Sequence, residues 1–354
     1  MKIKPIVTTC LMAVLLATLS LWCIFGEKSD FSESERRLLA SPPEVNWDSV
    51  SSGEFASDFE SWTVDHFPAR DAFRSLKAYT RLYALMQKDN NGIYEKDAQL
   101  SKIDYPMNEA MVEYATGLFE KVYTKYLTEE NRVFVSVIPD KNKFHAPLAM
   151  DYDVFEKTVY SHMPYATPIE ISHLINGEDY YRTDTHLRQE CLPDVAAKLA
   201  EAMGTSLSGK YEQQTLDTPF NGVYVGQSAL SPEPDTLKYL TNETIEGYEV
   251  TGAKAVYDME KAAGRDPYEI FLSGNQPLVT VKNPANPSGK RLILFRDSFG
   301  SAVAPLLAEG YSEVVLVDLR YLVSGYVGKL VDFSNADVLF LYSTLLLNSS
   351  LSMK

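Results

Sequence analysis

The residues of this chain with the clearest chemical promise are a serine, a histidine and an aspartate. Ser298 stands in the stretch Arg291-Leu-Ile-Leu-Phe-Arg-Asp-Ser-Phe-Gly-Ser301. Residues 291–295 form a short, largely apolar run, the right length for a buried strand. Residues 301–308 read as a helix with Gly310 as its stop signal. Ser298 is therefore predicted on the turn between the carboxyl end of a strand and the amino end of a helix. Free N–H groups and the positive end of the helix dipole gather there, suited to a developing oxyanion. In open α/β sheets this edge is also where ligands bind. Capping of the helix by Asp297 or Ser298 accounts for the same residues without any chemistry. The motif lacks the Gly-x-Ser-x-Gly pattern of α/β-hydrolases, so that family is not indicated.

A serine nucleophile needs a base, and the base needs a carboxylate to hold its tautomer. Tyr180-Tyr-Arg-Thr-Asp184-Thr-His186 offers both. In an extended segment residues two apart face the same way, so Asp184 and His186 could share a pocket with Ser298. A surface turn carrying an ordinary histidine is the competing reading. In Leu272-Ser-Gly-Asn-Gln276, Gly274 permits close backbone approach and Asn275 offers an amide donor, as an oxyanion hole requires; a plain Gly-Asn turn would look the same. No His-Glu-x-x-His, P-loop or dinucleotide fingerprint occurs, so neither a metal nor a cofactor is expected.

The elements that must position these residues alternate between strand and helix. Residues 109–127 are amphipathic and predicted helical, and residues 133–138 (Val-Phe-Val-Ser-Val-Ile) are the continuous apolar run of a parallel-sheet strand. Residues 169–175 read as a helix or a strand-helix junction, and 194–203 as a helix. Strands are expected at 278–282, 313–317 and 338–342, with helical stretches between the later ones, which implies βαβ units. Residues 205–273 lose this rhythm and read as an inserted, mostly β segment. Nearer the amino end, Pro68 separates two helical stretches between residues 54 and 87, and a hairpin strand follows from residue 93.

The 354-residue chain has a net charge of −15 and no basic block after residue 5, which argues against nucleic acid as a partner. Its 45% hydrophobic content allows a sizeable core, and three cysteines give no disulfide framework. Residues 6–25 carry no charge and are long enough to span a bilayer, with Lys2 and Lys4 before them. The positive-inside rule puts those lysines in the cytoplasm and the body outside. Residues 1–28 are read as an uncleaved anchor, a cleaved signal segment being the alternative, and 29–50 as a linker leading to a single α/β domain over 51–354.

Seven pieces of the chain, in order, resemble the bacterial DHHW family. They are Glu35-Arg-Arg-Leu-Leu-Ala40, the stretch containing Asp65-His-Phe-Pro-Ala-Arg-Asp71, Ile138-Pro-Asp-Lys-Asn142, Tyr181-Arg-Thr-Asp-Thr-His186, Ser273-Gly-Asn275, Arg296-Asp-Ser-Phe-Gly300 and residues 315–321. That family is related to the alginate O-acetylation proteins in the wider SGNH-hydrolase-like group. The resemblance implies an SGNH-hydrolase-like parallel sheet flanked by helices, with Ser298, His186 and Asp184 as triad and the serine last in chain order. Asn275, Gly274, Phe299, Arg182 and Arg296 are expected at the oxyanion or substrate. The Asp-His-His-Trp for which the family is named reads Asp184-Thr-His-Leu187 here, and the missing Trp puts a substrate contact in question. The expected function is an extracytoplasmic serine acyltransferase or esterase, O-acetyl transfer foremost, acting on a cell-surface polysaccharide. An acyl donor, handed over by a multipass membrane acyltransferase, is the implied partner. The alternative is a non-catalytic polysaccharide-binding or scaffold protein, which 22 tyrosines would suit.

Overall fold

The computed structural model describes residues 3–145 and 148–354. Lys2, one of the two lysines used to orient the amino-terminal segment, lies outside them. Contacts divide the chain into two compact units, residues 1–91 with 225–231, and residues 92–224 with 232–354.

In the smaller unit, helix α1 (Ile3–Phe25) is long and apolar enough to cross a membrane. A short hairpin pairing Phe31–Ser32 with Arg37–Leu38 follows, then α2 (Glu54–Asp65) and α3 (Arg70–Tyr79). Pro68 sits between these two helices, as the sequence predicts, because proline cannot continue the ladder of α2. Two of the motif pieces meet here: the Arg37 guanidinium grips the Asp65 carboxylate at 2.8 and 2.5 Å, and Arg70 and Arg74 converge on Glu35. Arg37 holds the Asp65 carboxyl down at about 2, below its usual range, against the opposing effect of burial.

The larger unit is built on one seven-stranded sheet. Its strands are β1 (Val133–Ile138), β2 (Thr167–Pro168), β3 (Glu249–Thr251), β4 (Leu278–Lys282), β5 (Arg291–Arg296), β6 (Glu313–Val317) and β7 (Ala336–Ser343). Their spatial order is β2-β1-β7-β5-β6-β4-β3, parallel from β2 to β6, with β4 antiparallel to both of its neighbours. The apolar strands alternate sides. Leu292 and Leu294 of β5 enter one core with Leu339 and Leu341 of β7, while Ile293, Phe295, Val338 and Phe340 enter the other. Helices α5 (Pro193–Ala202) and α6 (Ser298–Leu307) cover the first face through Val195, Leu199, Ala302 and Leu306; α4 (Glu109–Tyr126) covers the second through Val112 and Phe119. Each such Val, Leu, Ile or Phe side chain contributes about 1.5–3 kcal/mol when fully buried, which is why nearly continuous apolar strands need helices on both faces.

Residues 169–175 take the second of their two expected forms, a strand-helix junction: the two-residue β2 leads into a 3₁₀ turn, Ser172–Leu174. The segment 205–273 is less β-rich than expected. Residues 205–273 contain a hairpin of Glu212–Phe220 with Asp235–Thr241 together with short helices, while Glu249–Thr251 joins the central sheet as its edge strand.

Candidate active site

At the carboxyl edge of the parallel strands the chain turns from β5 into α6. The helix begins at Ser298, three residues earlier than its apolar pattern suggests, because Asp297 caps it by accepting the Phe299 N–H at 3.0 Å. Capping and exposure of the serine are therefore both satisfied, by adjacent residues. The other Asp297 oxygen accepts the N–H and the hydroxyl of Ser343 at 2.9 and 2.6 Å, tying the end of β5 to the end of β7.

Ser298 Oγ lies 2.8 Å from His186 Nε2, and His186 Nδ1 lies 2.6 Å from Asp184 Oδ1. An ionised carboxylate only accepts, so Nδ1 carries the proton and Nε2 is left to accept from the serine hydroxyl. Burial would raise the Asp184 carboxyl, but the attraction and hydrogen bond of His186 outweigh it and hold the group below its ordinary range. Asp184 is almost wholly buried, whereas the His186 side chain is 12% exposed and Ser298 partly open.

Asp184 and His186 converge through a tight turn rather than through an extended strand. Tyr180 and Leu187 pair as an isolated bridge, and Asp184 Oδ1 also accepts the His186 N–H at 3.0 Å. The turn is held from three sides. Asp235 accepts the N–H groups of Arg182 and Thr183; the Val223 N–H reaches Asp184 Oδ2 at 2.8 Å; Lys141 donates to the carbonyls of Leu100, Tyr181, Arg182 and Asp184. Burial pulls the Lys141 ammonium down to about 7 against the attraction of Asp184, Asp235 and Glu178. Gly222 is needed beside this turn, since a Cβ there would lie 2.3 Å from the Thr183 carbonyl oxygen and 2.4 Å from Asp184 Cβ.

The remaining expected site residues are distributed as follows. The Phe299 N–H is taken up by Asp297, whereas the Ser298 N–H makes no hydrogen bond among the described residues. Gly274 has φ +78°, and a Cβ there would meet the Glu269 side chain at 2.7 Å. Leu272 and Ser273 also have positive φ, a run of left-handed backbone that costs energy in non-glycine residues. Asn275 is exposed, and its Oδ1 lies 3.4 Å from Arg320, which orients the amide with its NH₂ away from the guanidinium. Arg296 is completely buried, 3.4 Å from Asp318, and burial lowers its guanidinium. The Arg182 side chain turns to the Pro234 carbonyl and lies near Glu233 and Asp235, so its ordered contacts are with that loop. Leu187, where the family motif has Trp, is a buried core residue, so that position packs inward and offers no substrate contact.

Sequence reasoning missed Lys141, Val223 and Tyr268, the last of which stacks on His186. Lys141 was visible in Pro139-Asp-Lys-Asn142 as a polar cluster at a strand end; nothing local marks the other two. Among the described residues no group of three or more His, Cys, Asp or Glu side chains is placed to hold a metal.

No family model matches the chain, and neither does any curated protein sequence. Solved structures do match. A DHHW family protein from Eubacterium siraeum is 20% identical with a TM-score of 0.56, over 73% of this chain and 93% of that one. Bacillus cereus PatB1, solved with a sulfonyl adduct, is 16% identical with a TM-score of 0.58, over 72% of this chain and 95% of that one. The O-acetyltransferase domain of Pseudomonas putida AlgJ is more distant, with 13% identity and a TM-score of 0.45 over 73% of this chain and 92% of that one. Across nearly the full length of the first two, the chain shares their architecture, a mixed α/β fold on a mostly parallel central sheet.

Proposed function

We propose that this protein is a serine-dependent O-acyltransferase or esterase, with Ser298 as nucleophile, His186 as general base and acid, and Asp184 as the carboxylate that orients His186. The observation that carries the reading is the continuous relay Ser298 Oγ, His186 and Asp184 at 2.8 and 2.6 Å on the carboxyl edge of the parallel sheet. PatB1, of like fold, has been solved with a sulfonyl adduct, the product expected when a sulfonylating reagent meets a nucleophile.

In the first half-reaction His186 Nε2 takes the hydroxyl proton as Ser298 Oγ bonds to the acyl carbon. The tetrahedral oxyanion is held by the Ser298 N–H and the amide of Asn275. The intermediate collapses, His186 returns the proton to the leaving oxygen, and an acyl-Ser298 remains. In the second, His186 deprotonates an acceptor hydroxyl, which attacks the acyl carbon and restores the serine. A sugar hydroxyl as acceptor gives transfer and water gives hydrolysis. O-acetyl transfer to a cell-surface polysaccharide is the preferred form, with α1 as anchor, the body outside the cytoplasm, and the acyl donor delivered by a multipass membrane acyltransferase.

The deciding experiment treats the full chain in detergent with a sulfonyl fluoride and with an activated acetyl ester, followed by peptide mass spectrometry. An adduct on Ser298, absent from Ser298→Ala and from His186→Ala, supports the reading. No adduct, with ester hydrolysis equal in wild type and Ser298→Ala, would instead favour a polysaccharide-binding role.

A further inference from the structure

His186 lies flat on an aromatic ring that the relay itself does not require. Its imidazole and the ring of Tyr268 have centroids 3.8 Å apart and planes within 11°. Phe299 leans on His186 at 4.8 Å with a 49° tilt. Tyr268 is rigidly placed: Asp266 caps the 3₁₀ turn Pro267–Ile270 by accepting the Tyr268 N–H, and the ring is braced edge-on by Phe271 and Tyr181. It is buried, yet its hydroxyl has no hydrogen-bond partner among the described residues. A polar contact therefore does not explain the ring's position; the face it turns to His186 does.

The face of an aromatic ring carries negative electrostatic potential, so it attracts a cation placed over it. A neutral imidazole gains little from this, but an imidazolium gains more, and in the proposed reaction His186 becomes one on taking up the Ser298 proton. Asp184 meets that charge at the edge of the ring, and Tyr268 meets it from the face.

We propose that Tyr268 is a positioning residue for the acyl transfer, fixing the plane of His186 and stabilising its protonated form through the stacked ring face. The proposal rests on the reading of Ser298, His186 and Asp184 as a triad. The groups bearing on His186 are the Asp184 carboxylate at Nδ1 and Ser298 at Nε2, and the charges acting on the stacked Tyr268 ring are Asp184, Asp297, Asp266 and Arg296. Changing only the ring leaves these in place. The effect of the face can thus be read separately from theirs.

The test uses the full chain in detergent with Tyr268 replaced by Phe, by Leu and by ring-fluorinated phenylalanines, which drain the ring face with little change of shape. The His186 pKa is followed by NMR in the Ser298→Ala background, where no turnover is needed, and the acid limb of ester hydrolysis is followed with Ser298 present. Tyr268→Phe should behave as wild type. Progressive fluorination should lower the His186 pKa stepwise, by about 0.5–1.5 units in all, and slow turnover roughly 3- to 30-fold, with Tyr268→Leu at least as severe. An unchanged His186 pKa across the fluorinated series would overturn the proposal even if Tyr268→Leu failed to fold. Should the pKa series move while wild type shows no acyl chemistry, the stack is upheld and the acyl-transfer reading falls. A flat series with normal turnover does the reverse.

Discussion

The ammonium of Lys141, at the end of β1, reaches the main-chain carbonyl of Asp184 at 3.3 Å after meeting those of Leu100, Tyr181 and Arg182 at 2.7, 2.6 and 3.0 Å. One buried cation thus gathers the backbone of the turn that presents Asp184 and His186. Lys141→Met keeps most of the length of the side chain but removes every donor. The variant should lose roughly 2–5 kcal/mol of stability, since buried carbonyls that lose a charged donor are costly. Acyl transfer and Ser298 labelling should both slow, because each needs the base that the loosened turn presents. Denaturant melts and sulfonyl fluoride kinetics on the same preparations check both parts.

The relay predicts an order among its members. Ser298→Ala should abolish acyl-enzyme formation, and His186→Ala should cost nearly as much, at least about 10³-fold, because the members act as a unit. Asp184→Asn should cost less than either, yet still orders of magnitude, through the wrong tautomer of His186. Single-turnover release from an acetyl ester measures all three.

Gly222→Ala tests the steric wall behind Asp184. A methyl group there must displace the Thr183 carbonyl or the Asp184 side chain, as its nearest contacts would be 2.3 and 2.4 Å. Overpacking of this kind costs about 1–3 kcal/mol. It should also weaken the base, so turnover falls at temperatures where circular dichroism still reports a folded protein. A fully active Gly222→Ala would show that the turn can shift without harm.

Asp140, next to Lys141, gives a pH signature. Burial, chiefly, and the neighbouring Asp104 raise its carboxyl to about 7, despite bonds from the Tyr152 and Thr344 hydroxyls. The native state therefore holds a proton that the unfolded chain releases near 4. That contribution to stability is complete below about 4 and is lost as pH rises to about 7. Melting temperature should fall across this window, and Asp140→Asn should flatten the fall. Equal slopes in the two proteins would refute the assignment.

The sheet was largely legible because its strands are apolar runs of ordinary length, and 133–138, 278–282 and 313–317 match their observed limits. The start of α6 was misread because the first turn, Ser298-Phe-Gly, carries its signal in a cap rather than in periodicity. Local pattern was a poorer guide over residues 205–273, where the expected β segment is a hairpin accompanied by short helices. Asp184 and His186 were legible as a pair, but the geometry that joins them was not. Their turn depends on Lys141, Val223 and Asp235, which lie about forty to fifty residues away along the chain. Tyr268 had no sequence signal at all, since a tyrosine over a histidine is created only by the fold.

The bonds from Ser343 to Asp297 make the carboxyl end of β7 a requirement for the aim of Ser298. All three relay side chains precede residue 299, so a fragment cut before Ser343 would still carry every reactive group. It would lack β7's carboxyl end, and with it the partner that holds one oxygen of Asp297 while the other aligns the first turn of α6. Cleavage just before Ser343 would then misaim Ser298 without removing any residue of the relay.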